Sequence, residues 1–160
     1  MTCAMYFTFQ YLLPILLIPA VWYDVRTHRI PNWLTFGGIA IGFLVAALAA
    51  GIPGLIGALQ GFAIAAIVAG IFWYTGAIGG GDHKLLMAVG AWIGFHTIPF
   101  VLATIAIVGG FQAMITVLIM QRWKPAVPLR ELLRTTPMPY SVSITLGTAF
   151  VILSRLLPQL

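Results

Sequence analysis

The sequence predicts an all-α fold, a polytopic bundle of about six membrane-spanning helices, on three observations. Apolar residues make up 61% of the 160 positions and charged residues 7%, against about 45–50% and about 25% in ordinary globular chains. The apolar residues also run in stretches close to the roughly 20 that a helix needs to cross roughly 30 Å of hydrocarbon. Between them lie short connections rich in glycine, proline and basic residues. The chain, 1–160, reads as a single transmembrane domain.

Six segments follow in order: Met5 to Tyr23, Trp33 to Ala50, Leu55 to Tyr74, Leu85 to Phe95, Ile98 to Met120, and Tyr140 to Leu157. No positively charged stretch precedes the first, which reads as a retained span and not a cleaved signal. The second and third meet at Gly51 to Gly54. The fourth is short, and either borrows the glycine-rich residues before it or crosses incompletely. The run from Leu85 to Met120 is too long for one span, and Gly94, His96 and Pro99 supply the break. Gly38/Gly42, Gly57/Gly61 and Gly90/Gly94 have the spacing that lets helices approach closely. The connection from Gln121 to Pro139 contains Leu129-Arg130-Glu131-Leu132-Leu133-Arg134, read first as a solvated loop and second as an interfacial helix facing anionic membrane lipid.

Charge orients the bundle. Arg26 and Arg29 lie between spans one and two, Lys84 between three and four, and Arg122, Lys124, Arg130 and Arg134 between five and six. The opposite turns, Gly51 to Gly54 and His96 to Thr97, carry no Lys or Arg, and Arg155 near the carboxyl end is the exception. By the positive-inside rule the basic connections are cytoplasmic and both termini outside, a multi-pass arrangement in the cell inner (plasma) membrane. The net charge of +5 therefore reads as topology and not as nucleic-acid binding. Cys3 stands alone, which excludes an internal disulfide framework and a multi-cysteine zinc site. His28, His83 and His96 have no metal-ligand spacing, and the chain holds no phosphate loop or dinucleotide fingerprint, so neither metal nor cofactor is expected.

Chemistry concentrates on the carboxylates. The chain has three acidic residues, and its two aspartates stand in Tyr23-Asp24-Val25-Arg26 and Gly79-Gly80-Gly81-Asp82-His83-Lys84. An acid at the bilayer centre costs about 2.5–3.5 kcal/mol on insertion scales, so ionisable groups near membrane depth read as functional. Both aspartates fall at cytoplasmic span ends, which makes them candidates for one catalytic site dividing acid and base work. Arg26 and Arg29 are placed to compensate Asp24, and His83 and Lys84 to tune Asp82. Gly79, Gly80 and Gly81 allow an extended peptide to lie beside Asp82, or alternatively form a turn with Asp82 as a helix cap. Asn32, after Pro31, is expected to cap the second span. Helix dipoles favour an anion at Asp82, which precedes a helix, and disfavour one at Asp24, which follows one. Asp82 is thus expected as the base and Asp24 as the acid.

At two separated places, Asp24 to Thr35 and Gly79 to Leu85, the chain resembles the type IV prepilin peptidases, membrane aspartyl proteases with a Gly-x-Gly-Asp motif. The resemblance implies cleavage of a short basic leader from a prepilin or pseudopilin precursor, after a glycine, with Asp24 and Asp82 catalytic. The compact form is most similar to peptidases of Flp/Tad-type pilus systems. Longer relatives also methylate the new amino terminus and carry a paired-cysteine segment that this sequence lacks, so peptidase activity alone is expected. Two readings from other classes compete. A proton-coupled transporter or channel subunit would hold its acids near midplane, and a non-enzymatic assembly subunit would tolerate loss of either aspartate.

Overall fold

The computed structural model describes residues 12–123 and 140–156, and these residues are all-helical in their regular structure. The helices are α1 (Leu13–Thr27), α2 (Asn32–Tyr74), α3 (Gly80–Ile93), α4 (Ile98–Trp123) and α5 (Tyr140–Leu156). The start of the expected first span, Leu157 at the end of the last, and the segment from Leu129 to Arg134 lie outside the described residues.

α2 joins the expected second and third spans into a helical hairpin. Gly51 breaks it with φ 62° and ψ −146°, a left-handed conformation that side chains disfavour. Beyond the break Gly54 lies over the preceding turn, where a Cβ would stand 2.3 Å from the carbonyl oxygen of Ala46. The legs then run side by side. The rings of Phe43 and Phe62 are 5.5 Å apart, whereas an unbroken helix would separate these positions by roughly 28 Å.

Both legs close on α3 through small residues. Gly61 and Gly90 meet backbone to backbone: a Cβ on either would come within 2.4 or 2.5 Å of the other's carbonyl oxygen. Gly42 faces the Trp92 ring, whose Nε1 donates to the Gly38 carbonyl at 2.8 Å. Gly38 also receives Leu16 of α1, so one glycine pair takes two partners. Of the expected close-packing positions, Gly57 has no atom within 4 Å of its would-be Cβ. Gly94 instead ends α3 with φ 74°, and Pro99 lies in the first turn of α4. α3 does borrow the glycine-rich residues, beginning at Gly80. Gly147 closes the α4–α5 contact, since a Cβ there would meet the Ile105 backbone nitrogen at 2.9 Å.

The bundle is small inside and large outside. Ala58, Ala65, Ala69 and Ala88 are fully buried, while Ile15, Ile18, Leu48, Ile67, Ile107 and Phe150 are 64–71% exposed. Water would penalise such an exterior and hydrocarbon would not. Two of the described helices, α2 and α4, are long and apolar enough to cross a membrane by length and composition.

Within each aspartate-bearing helix the acid lies in phase with the buried stripe. In α1 the buried positions are Leu13, Leu16, Leu17, Ala20 and Asp24. In α3 the first buried positions are Asp82, Leu85 and Leu86, and from Ala88 to Ile93 the helix is buried on every side. Asp24 closes one stripe and Asp82 opens the other. Each carboxylate is therefore carried inward by the apolar residues that pack its own helix.

The mutual Gly61–Gly90 contact generates a paired prediction. Gly90→Ala should destabilise the protein by about 1–3 kcal/mol, because backbone and not a flexible side chain blocks the new methyl. Gly57→Ala should leave stability unchanged or raise it by up to about 1 kcal/mol, since it replaces helical glycine in open space. Thermal unfolding in detergent reads both.

Candidate active site

α1 delivers Asp24 to the bundle end and then stops. The N–H of His28 returns to the Asp24 carbonyl at 2.8 Å, with His28 left-handed at φ 51°, ψ 28°, a single-bond helix ending that frees the chain to turn. Thr27 braces the turn, its hydroxyl lying 2.7 Å from the Tyr23 carbonyl and 3.0 Å from that of Arg29. The following residue, Ile30, is buried and carries the loop back into the core.

Ile30 is also where the two aspartate segments touch. A Cβ on Gly81 would lie 3.2 Å from Ile30 Cβ and 3.3 Å from its backbone nitrogen. Glycine at 81 thus lets the start of α3 seat against the α1–α2 loop. Gly79 is extended at φ −75°, ψ 157°, and its would-be Cβ points at Asp82 Oδ2, 3.2 Å away. The left-handed residue of this connection is Gly76, with φ 76°. Asp82 is the third residue of α3 and not its cap, a position reserved by Gly79.

The two segments enclose one cavity of about 640 Å³ lined by Tyr23, Asp24, Thr27, His28, Arg29, Ile30, Pro31, Asn32 and Gly79 through Asp82. Ligand pockets usually fall between roughly 300 and 1,000 Å³. Both carboxylates, each 6% exposed, belong to its wall. The residues singled out in the sequence separate here. Asp24, Asp82, Arg29 and the three glycines line the cavity, whereas Arg26 lies over the Trp22 ring at 3.9 Å on the exposed side of α1. Lys84 turns to Asn32, donating to Oδ1 at 2.8 Å. Asn32 is consequently the first residue of α2, tied to α3, and makes no side-chain cap; Pro31 occupies the capping position. His83 stacks on Trp73 at 5.8 Å and its Nε2 lies 3.4 Å from the Ala66 carbonyl, away from the acids. His96 pairs with Phe95 beyond the far end of α3. Among the described residues no three metal-ligating side chains cluster.

The two acids differ in their hydrogen-bond supply. Asp24 Oδ2 accepts the Ser141 hydroxyl at 2.6 Å and the Ser141 backbone N–H at 3.3 Å. Asp82, in the first turn of α3, has a buried Oδ1 with no hydrogen-bond partner among the described residues. Among the described residues the donors thus gather on Asp24, brought there by the arrival of α5. Ser141 escaped the sequence reading because a serine in an apolar helix ordinarily bonds its own backbone.

Two carboxyl groups in the wall of one cavity can divide acid and base work at one place. Comparison with curated proteins and with solved structures returned no match. The model of the type IV leader peptidase family matches residues 11–114, a stretch that contains both cavity-lining aspartates and the hairpin that positions them. The chain belongs to the type IV leader peptidase family.

Proposed function

We propose that this protein is a multi-pass membrane aspartyl endopeptidase that removes the leader of prepilin-like precursors at the cytoplasmic face. The observation that carries the reading is the burial of Asp24 and Asp82 in the wall of a single cavity, within the stretch matched by the leader peptidase family. The basic connections support the orientation, with Arg26 and Arg29 beside the Asp24 end and both termini outside. Six spans follow if the two legs of α2 cross separately. Both acids belong to a bundle-end cavity, which fits a hydrolase better than a carrier needing access from both sides.

In the proposed reaction Asp24 takes a proton from water as the oxygen attacks the scissile carbonyl carbon. Asp82 donates its proton to the carbonyl oxygen, which gains the electron pair of the broken π bond. Collapse of the tetrahedral intermediate breaks the C–N bond, and the proton held by Asp24 passes to the leaving nitrogen. The proton on the former carbonyl oxygen returns to Asp82 as the new carboxyl group forms. The substrate segment must be extended, because a helical peptide keeps its carbonyls in i to i−4 bonds. Gly79, Gly80 and Gly81 leave that wall of the cavity without side chains, which suits a backbone approaching Asp82, and a glycine before the cleaved bond eases unwinding. Arg29 shapes the rim, and Lys84 and Arg26 act indirectly, through Asn32 and through the lipid-facing side of α1.

Incubation of the purified protein with a prepilin-type precursor, followed by mass determination of the new amino terminus, tests this reading. Asp24→Asn and Asp82→Asn should each lower turnover by at least about 10²-fold while leaving membrane insertion intact, since an amide cannot cycle the proton. Near-normal cleavage by either variant would reject the dyad.

A further inference from the structure

Ser141 lies beyond the matched stretch, on the first turn of α5, yet it is the residue that holds Asp24. Its side chain is fully buried. Its hydroxyl and its backbone N–H converge on one oxygen, Asp24 Oδ2, at 2.6 and 3.3 Å. The backbone group can only donate, so Oδ2 is an acceptor whichever way the hydroxyl turns. First-turn N–H groups have no partner within their own helix, and this one finds its partner on α1. The contact also opposes unlike helix ends: Asp24 lies at the carboxyl end of α1, where an anion is disfavoured, and meets the amino end of α5, where it is favoured.

We propose that Ser141 is a positioning residue of the aspartate pair, clamping Asp24 through Oδ2 so that Oδ1 is the oxygen that takes the proton from water. The inference rests on the reading of Asp24 and Asp82 as the reacting pair. Other ionisable groups face the same cavity: Asp82 from α3, and Tyr23, His28 and Arg29 from α1 and its loop. Tyr140 adjoins Ser141 on α5. Among the described residues, the donors to the Asp24 carboxylate come from Ser141. The clamp makes α5 part of the site: displacement of its amino end would release Asp24 without moving α1 or α3.

The test measures cleavage of a prepilin-type precursor by Ser141→Ala and Ser141→Cys across pH, with Asp24→Asn assayed in parallel. Alanine removes the hydroxyl, and cysteine replaces it with a weak donor of similar volume. Both should lower kcat about tenfold with KM little changed, and both should move the acidic limb of the kcat profile up by about one pH unit. The sign follows from the donor: the ionised acceptor loses a hydrogen bond, so it is protonated at higher pH. If Ser141→Ala does not accumulate in the membrane, Ser141→Cys decides. A wild-type kcat and an unshifted acidic limb in the inserted variants would overturn the clamp while an inactive Asp24→Asn left the dyad standing. An active Asp24→Asn would remove the dyad itself.

Discussion

A carboxylate buried among apolar helices must be supplied with hydrogen-bond donors by the fold, and the arrangement of the helix ends follows from that requirement. Removing a carboxylate from water without compensation costs far more than any one packing contact returns. Asp24 is compensated by the first turn of α5. At Asp82, Oδ1 has no hydrogen-bond partner among the described residues. The supply is unequal, so tertiary structure sets the two aspartates apart although their chemistry is identical.

What brings the supply lines together is close backbone contact. The Gly61–Gly90 approach seats α3 against the second leg of α2, and Gly38 and Gly42 seat the first leg against Leu16 and Trp92. At the bundle end Gly81 lets α3 begin against Ile30, so the Asp24 loop and the Asp82 loop share a wall. The opposite end is joined by different means: Arg155 of α5 donates to Thr97 at 2.7 Å, tying the last turn of α5 to the turn between α3 and α4. α5 is thus fastened at both ends, by Ser141 to Asp24 and by Arg155 to Thr97.

Much of this was legible in the sequence because it depends on local pattern. The hairpin break at Gly51, the end of α3 at Gly94 and the tight contacts of Gly61 and Gly90 follow from glycine placement within apolar runs. The common setting of Asp24 and Asp82 follows from span counting and from basic residues confined to alternate connections. The illegible features all depend on partners remote in sequence. Ser141 meets Asp24 across 117 positions, and Lys84 meets Asn32 across 52, which removes Asn32 from the capping role that its place after Pro31 implies. The dipole rule uses only the helix that carries each acid, and so does not register the Ser141 donors that α5 brings to Asp24. Gly57, placed by spacing in a packing motif, has nothing near its would-be Cβ, and meets the end of α3 through its carbonyl, which accepts the Phe95 N–H at 3.1 Å.

The central claim, that Asp24 and Asp82 confront one another across a single cavity, is tested most directly by proximity in the membrane. Asp24→Cys and Asp82→Cys combined, with Cys3 replaced by serine, place thiols at the two positions. A short bifunctional thiol reagent applied to membrane vesicles should join them within one molecule, protecting both from later alkylation. Two thiols that each react readily with a monofunctional reagent, yet never cross-link, would contradict the account.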